Sequence, residues 1–393
     1  MRRILFTLFI LALCSSCTVI RSLRWWQPDL SDSSKFKQAR IAPSQQPFSF
    51  IQGTGQANYL NLKKHLDSML MHTNTNAFLV IKNDSIIYEH FAENSNAQTL
   101  HPSFSVAKSY IGTLTGIAID KGIIHSADDL VIKYIPELEK NDGRFRKLTI
   151  QHVLDMRSGF DFDEDKETPF AGIAKLYYGS SINNQISKLK MKGEPGKVFE
   201  YQSISTQLLA SIFERASGEK VATLLAKYLW SPLGAESNAI WSVDDHKTVK
   251  ASCCLNATAS DFAKLGRLYL KKGNWQGNQV VSGKWVDQTT RPDTIQKRGY
   301  KNQWWACNPV SYFKDSVSAG LKMKRLNLNL PIKRLANGTY YYKQNVNDYR
   351  AEGILGQILY VNPKNNVIIV RLGNYPAKNL YFNGFIPELG RQL

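Results

Sequence analysis

The 393-residue chain carries 50 Lys and Arg against 32 Asp and Glu, a formal charge of +18. Hydrophobic residues make up 43% of it, and 8 Trp, 18 Tyr and 18 Phe supply a large core; this excludes disorder of the whole chain, because disordered chains lack aromatic and β-branched residues. After residue 17 no stretch approaches the roughly 18–20 apolar residues of a membrane-spanning helix, which excludes a polytopic bundle of such helices.

At the N-terminus, Arg2 and Arg3 precede a mostly apolar run over residues 4–13, and the small residues Ser15 and Ser16 precede Cys17. The pattern resembles an export signal with a lipobox: residues 1–16 are expected to be removed and Cys17 to be acylated. Cys14 fits less well, since Leu13 stands where a small residue is needed; a plain secretory signal is the alternative. The expectation is an exported protein held in a bacterial cell envelope by its lipid, with the membrane as a partner. Lys and Arg are scattered along the chain without a nucleic-acid-binding motif, so no nucleic-acid partner is expected. The excess positive charge reads as attraction to anionic membranes or polymers.

Residues 17–55 contain Gln27-Pro28, four residues of Ser and Asp character at 31–34, Pro43-Ser44 and Pro47, and read as a tether. Leu62, Leu66, Met69 and Leu70 predict a helix over 60–71. Strands are predicted over 77–81 and 86–90, joined at Asn83-Asp84 as a hairpin. The run 105–122 is apolar on most sides and stops at Gly122, which predicts a buried helix. Helices follow over 150–156, 206–216, 220–229 and 259–271. The chain returns to strands over 357–361 and 367–371, with a turn at 362–366. Strands at both ends and helices between predict an α+β fold: one antiparallel sheet from both chain ends, flanked by helices, with a helical insertion over about 124–285. The whole of 56–393 is expected to be one interleaved domain.

Cys253, Cys254 and Cys307 remain after position 17. Adjacent residues in an extended chain point to opposite faces, so at most one of Cys253 and Cys254 is expected to pair with Cys307. There is no Cys-x-x-Cys or His-Glu-x-x-His, and the seven His are dispersed from His65 to His246, so neither metal nor organic cofactor is expected.

Three segments carry candidate chemistry. Ser105 and Lys108 have Ser-x-x-Lys spacing at the start of the long apolar helix. A serine hydroxyl is a poor nucleophile unless a base or cation assists it, and positions i and i+3 share a helix face. The helix start also directs N–H groups toward a developing oxyanion. The spacing alone is common, recurring at Ser34/Lys37, Ser187/Lys190, Ser217/Lys220 and Ser311/Lys314, but only Ser105 opens a buried helix. Next, Pro195-Gly196 leads to Tyr201 and Ser203 at the mouth of a helix. A phenol beside an ammonium is driven toward phenolate, so Tyr201 is the candidate base for Ser105. Last, Gly353 enters the final hairpin and permits close approach, with the Ile354 N–H placed to share an oxyanion hole with the Ser105 N–H.

The order and spacing of these three motifs resemble the serine β-lactamase and penicillin-binding family, in its class C branch. FSVAKSY (104–110), HVLDMRSG (152–159), LNATASDFAKLG (255–266) and GILGQ (353–357) are similar to the 6-aminohexanoate-dimer hydrolase branch. The resemblance covers about residues 56–390. It implies a serine hydrolase that forms an acyl-enzyme at Ser105, with Lys108 as cation and proton shuttle and Tyr201 as general base and then acid. Its implied substrate contacts are Ser203, Asn256, Trp304 and Gly353. Departures narrow the substrate. The middle motif usually ends in Asn, where this chain has Ser203. The third motif begins with Lys or His in lactamases, where this chain has Ala351, and the adjacent Arg350 would face the other side of its strand. Relatives often carry Tyr near 164–166, where this chain has Lys166; Tyr177 and Tyr178 are candidates to replace it. A small-molecule ester or amide is therefore the expected substrate. The alternatives are a D-amino-acid peptidase or weak β-lactamase acting on cell-wall material, and a silent binder of peptidoglycan peptides. Nothing in the pattern fixes an oligomeric state.

Overall fold

The structure is a computed structural model that describes residues 18–25, 27–53, 59–71, 73–166, 168–291, 299–307, 310–325, 329–343, 347–375 and 382–393. The export signal and Cys17 lie outside the described residues. The segment expected to be a tether is folded. Helix α1 (Thr18–Trp25) packs its Trp25 ring 5.8 Å from both Phe36 and Tyr178. Arg21 bonds Asp245 at 2.9 Å. Strand β1 (Lys37–Ile41) and the short β2 (Ile51–Gln52) complete the segment. Its Pro and Ser are local turn signals, whereas β1 finds its partner in the middle of the chain.

Helix α2 (Leu60–Leu70) precedes the hairpin of β3 (Thr75–Lys82) and β4 (Ser85–Phe91). Asn83 and Asp84 take φ of 52° and 61°, the left-handed pair that a two-residue hairpin turn requires. A short β5 (His101–Pro102) then feeds a 3-10 turn over 104–106 and helix α3 (Ala107–Asp120), with twelve of its fourteen residues buried. Further on come α4 (Gly172–Tyr178), α5 (Ser203–Ser217), strands β6 (Ala239–Val243) and β7 (Leu255–Ala257), and α6 (Ala259–Leu270). The chain closes with β8 (Tyr300–Lys301), β9 (Trp304–Ala306), β10 (Tyr349–Gly353), β11 (Gln357–Asn362), β12 (Val367–Gly373) and α7 (Phe382–Gln392).

The main sheet runs β8-β9-β10-β11-β12-β3-β4-β2, so the C-terminal strand β12 pairs antiparallel with β3 and joins the two chain ends as expected. Only β2 is parallel to its neighbour. Alternation of side chains sorts the central strands between two cores. Leu79, Ile81, Leu359, Val361, Ile368 and Val370 face the larger core with α3, α5 and α6. Phe78, Val80, Ile358, Tyr360, Val367 and Ile369 face a smaller one, closed by Leu66 and Leu70 of α2 and Ile386 and Leu389 of α7. The fold is α+β.

The middle of the chain adds strands to the helix-rich insertion expected there. It contributes β6 and β7 to a second sheet, ordered β1-β6-β7-β5, whose outer strands come from the N-terminal part. The register of β5 on β7, with His101 opposite Ala257 and Pro102 opposite Asn256, is what brings the start of α3 beside the residues that precede β7.

If α1 and β1 are integral, Trp25→Ala lowers the unfolding free energy by about 1–3 kcal/mol, the range for loss of a partly buried aromatic. An unchanged denaturant midpoint would return the segment to the status of a tether.

Candidate active site

Pairing of β5 with β7 is extended by Ser103 N–H donating to the Leu255 carbonyl at 2.7 Å. Phe104 follows with φ of 42°, a left-handed backbone that a bulky residue rarely adopts, and the kink presents Ser105 at the start of α3. Lys108, one turn on, is 1% exposed. Its Nζ donates to Ser105 Oγ at 2.9 Å and to the Ser252 carbonyl at 2.8 Å. Tyr201 completes the group: its phenol interacts with the Ser105 hydroxyl, and its ring centroid is 5.0 Å from Lys108 Nζ. The structure thus brings Ser105, Lys108 and Tyr201, the three candidates from the sequence, into one cluster.

Burial dominates the electrostatics here. It pulls the Lys108 ammonium down to about 8, against an opposing pull from the Glu164 carboxylate. Burial drives the Tyr201 phenol well above its ordinary value despite the Ser105 hydroxyl. The phenolate expected from a neighbouring ammonium is therefore disfavoured, and the group in the triad closest to neutrality in its basic form is Lys108.

Glu164 was not singled out by sequence. It lies in the loop before α4, where Asp161, Asp163 and Asp165 give the same local acidic signal. The structure separates it from them: Ser203 donates its N–H to Oε2 at 2.8 Å and its Oγ–H to Oε1 at 2.6 Å. Ser203 is the first residue of α5, so the carboxylate sits on that helix N-terminus, where the backbone dipole favours an anion. Burial pushes the Glu164 carboxyl up, while Lys108 and the two Ser203 bonds pull it down.

The triad opens into a cavity of about 550 Å³ whose walls include Ser105, Glu164, Tyr201, Ser203, Cys253 and Ile354. One wall comes from the supposed tether, through Ser22, Gln27 and Pro28. Gly353 acts by its lack of a side chain: a β-carbon there would lie 2.5 Å from the Ser103 carbonyl oxygen and 3.0 Å from the Ser105 nitrogen. The end of β10 thus abuts Ser105, and Ile354, next in the chain, lines the cavity. Leu355 follows at φ of 62°.

Three of the four implied substrate contacts do not line the cavity: Gly353, which abuts the backbone of Ser103 and Ser105, and two buried side chains. Asn256 is 3% exposed and donates Nδ2 to the Cys254 carbonyl at 3.0 Å, inside the small sheet. Trp304 is 1% exposed, with its ring 4.5 Å from Tyr269 in the larger core. Its neighbour Trp305 takes the opposite face of β9 and stacks on Tyr201 at 5.8 Å and 23°; a one-residue shift along a strand exchanges the two faces. Tyr177 and Tyr178 do line the cavity, but the Tyr177 hydroxyl is committed to Asp32 at 2.7 Å.

The cysteines also differ from expectation. Cys253 and Cys254 are bonded to each other, and Cys307 is a free, buried thiol. Cys254 has φ of 70°, so this stretch is a tight turn, and the extended geometry that would separate the two side chains does not apply.

A family model described as Beta-lactamase matches residues 68–383. The chain belongs to the beta-lactamase family. Within curated proteins it is 28% identical over 335 residues to a 6-aminohexanoate-dimer hydrolase of Paenarthrobacter ureafaciens, covering 79% of this chain and 75% of that one. Among solved structures it is similar to a Bacillus anthracis protein assigned provisionally to the 6-aminohexanoate-dimer hydrolases, with TM-score 0.73, 23% identity and coverage of 94% of both chains. A family VIII carboxylesterase shares the fold at TM-score 0.59 and 14% identity, over 84% of this chain and 95% of that one. The beta-lactamase family is hydrolytic, and this member is a hydrolase.

For this beta-lactamase-family chain, the position expected to hold the third-motif cation is Ala351, 1% exposed in the larger core. Arg350 is occupied by Glu352. Lys250 lines the cavity, but its Nζ donates to the Tyr177 carbonyl at 2.6 Å, beneath the Phe36 ring.

Reactivity of Ser105 should rise as Lys108 loses its proton, with a limb near pH 8. Glu164 favours the ammonium, so Glu164→Gln should move that limb to lower pH, by up to about one unit. The pH dependence of kcat/KM for an activated ester checks the direction; a limb that stays in place or moves upward removes the Glu164–Lys108 coupling.

Proposed function

We propose that this hydrolase cleaves carboxylic esters or small amides through an acyl-enzyme on Ser105. The observation that carries the reading is the buried Lys108 Nζ, held at 2.9 Å from Ser105 Oγ while burial brings its basic form within reach near neutral pH. A general base works best with a pKa close to the operating pH. In its neutral form Lys108 accepts the Ser105 proton as Oγ attacks the substrate carbonyl. The N–H groups of Ser105 and Ile354 stabilise the resulting oxyanion, and donors aimed at developing charge contribute most in a site shielded from water. Tyr201 stays a neutral phenol and relays the proton to the departing alkoxide or amine, then returns it as water attacks the acyl-serine. Lys108 and Tyr201 exchange protons with Ser105 as one coupled group.

The choice of substrate rests on charge. Ala351 stands in the core where lactamases carry a carboxylate-gripping cation, which supports a neutral reacting group over a β-lactam carboxylate. The cavity of about 550 Å³ falls within the ordinary range for small-molecule sites. The export signal pattern supports a cell-envelope location with Cys17 acylated; the mass of the N-terminal peptide of the membrane-fraction protein tests it, and an unmodified Cys17 rejects it.

Brief exposure of the chain to p-nitrophenyl acetate, penicillin or a fluorophosphonate, followed by intact mass spectrometry, tests the nucleophile. An ester- or phosphonate-derived adduct is expected on the wild type and absent from Ser105→Ala. A folded wild type that no probe modifies would favour the silent binder of peptides instead. Tyr201→Phe should lower turnover by about 10²–10⁴-fold, the scale of a general acid–base group, and near-normal turnover in that variant removes the relay.

A further inference from the structure

Lys108 has two acceptors on the chain, and one of them, the Ser252 carbonyl, belongs to the turn that contains the Cys253–Cys254 disulfide. Hydrogen bonds hold the two cysteines of that turn to their neighbours. Cys253 N–H donates to the Lys250 carbonyl at 3.0 Å. The Cys253 carbonyl accepts from Trp241 Nε1 at 2.8 Å. The Cys254 carbonyl accepts from Ser242 N–H at 3.1 Å and Asn256 Nδ2 at 3.0 Å. The Ser252 carbonyl is left to point at the ammonium.

Cys254 holds a left-handed backbone without being Gly, Asn or Asp. Such a conformation persists only when its surroundings over-determine it, and a bond to the preceding side chain is a constraint of that kind. The disulfide also packs in one apolar cluster with Phe104, which precedes the nucleophile, and with Leu355, which follows Ile354. Cys253 itself lines the substrate cavity. The bond therefore shares one cluster with residues on both sides of the reacting centre and follows directly on the acceptor of its lysine.

We propose that the Cys253–Cys254 disulfide is a positioning element of this active site: it keeps the Ser252 carbonyl on Lys108 Nζ, so the oxidised chain is the competent hydrolase and the dithiol chain is not. The proposal rests on the acyl-serine reading above. Forming the bond removes two protons and two electrons from the thiols, which pass by thiol–disulfide exchange to a disulfide oxidant. A dithiol reductant reverses it, returning both thiols and becoming oxidised itself. Reduction frees Cys254 to leave the left-handed region, and the Ser252 carbonyl turns from the lysine.

The test has two arms on the full-length chain. In the first, the protein is unfolded and alkylated without reductant, and the tryptic peptide 251–264 is weighed. It should be lighter by two hydrogens than the dithiol form and unalkylated, and should take two labels only after reduction. Alkylation without reduction overturns the proposal. In the second, oxidised and dithiol-reduced forms and the double variant Cys253→Ser, Cys254→Ser are compared for the fluorophosphonate labelling rate of Ser105 and the pH dependence of Lys108 labelling by acetic anhydride. Reduction and the double variant should both slow Ser105 labelling about tenfold or more, the scale of a displaced catalytic group. They should also shift the Lys108 midpoint upward as water reaches it, with the unfolding midpoint of the reduced chain little changed. Cys307→Ser should retain the sensitivity to reductant. Unchanged labelling and an unmoved lysine midpoint overturn the proposal. If Ser105 never labels, the hydrolase reading fails, and the lysine midpoint still decides whether the disulfide governs Lys108.

Discussion

An ammonium removed from water must find acceptors, because an unpaired buried charge costs several kcal/mol. Lys108 is nearly inaccessible, and of the two acceptors that hold it one is a helical turn away and the other comes from a distant part of the chain. Ser105 arrives from the kink after β5, and the Ser252 carbonyl arrives from the turn before β7. Those two strands pair with each other, so the backbone hydrogen bonds of the small sheet also set the lysine's surroundings. Glu164 adds the balancing negative charge, itself stabilised by the N-terminus of α5. The site is in this sense a solution to the problem of burying one cation.

The same arrangement makes the site a product of the whole domain rather than of one motif. The main sheet closes through β12 on β3, and only then does β10 run past Ser105. Gly353 allows the close approach, and the left-handed residues Phe104 and Leu355 lie on either side of the candidate oxyanion groups. Non-glycine residues in that region cost of order 1–3 kcal/mol each and are held where packing leaves no alternative. Here the packing is shared, because both side chains meet the Cys253–Cys254 cluster. The N-terminal segment contributes as well, since α1 and the residues after it wall the cavity while β1 fastens them to the small sheet.

Features with a local cause were legible in the sequence. The Asn83-Asp84 turn, the buried helix after Ser105, the strands around 357–373 and the Ser105, Lys108, Tyr201 order all follow from spacing or turn chemistry. What escaped depends on partners far along the chain. Proline and serine in residues 17–55 resemble a linker because nothing nearby shows that Lys37–Ile41 will pair with Ala239–Val243. The resemblance implies Trp304, but the register of β9 is set by β10, which buries Trp304 and turns Trp305 toward Tyr201. Glu164 was hidden among similar neighbours and is distinguished only by Ser203 reaching it. The cysteine pairing was misjudged because an extended backbone was assumed where a left-handed Cys254 makes a turn.

Charge at the reacting centre argues for the kind of carbonyl it accepts. Lys108 and Glu164 each favour the other's charge, although burial outweighs that pull on both. The cations nearby are engaged: Lys250 by the Tyr177 carbonyl, Arg350 by Glu352, and Lys166 by Asp163 at 2.8 Å. A substrate carboxylate next to the scissile bond would lose its hydration without gaining a dedicated cation, and it would approach Glu164. Desolvating an ion without a partner is far more costly than desolvating a hydrogen-bonded neutral group. The neutral ester or amide proposed above meets no such opposition, and in the proposed mechanism its negative charge develops only as the oxyanion forms beside the Ser105 and Ile354 N–H groups. On the proposed reading, Ala351 in place of a cation filters substrates by their ground-state charge without touching the groups proposed to stabilise the transition state.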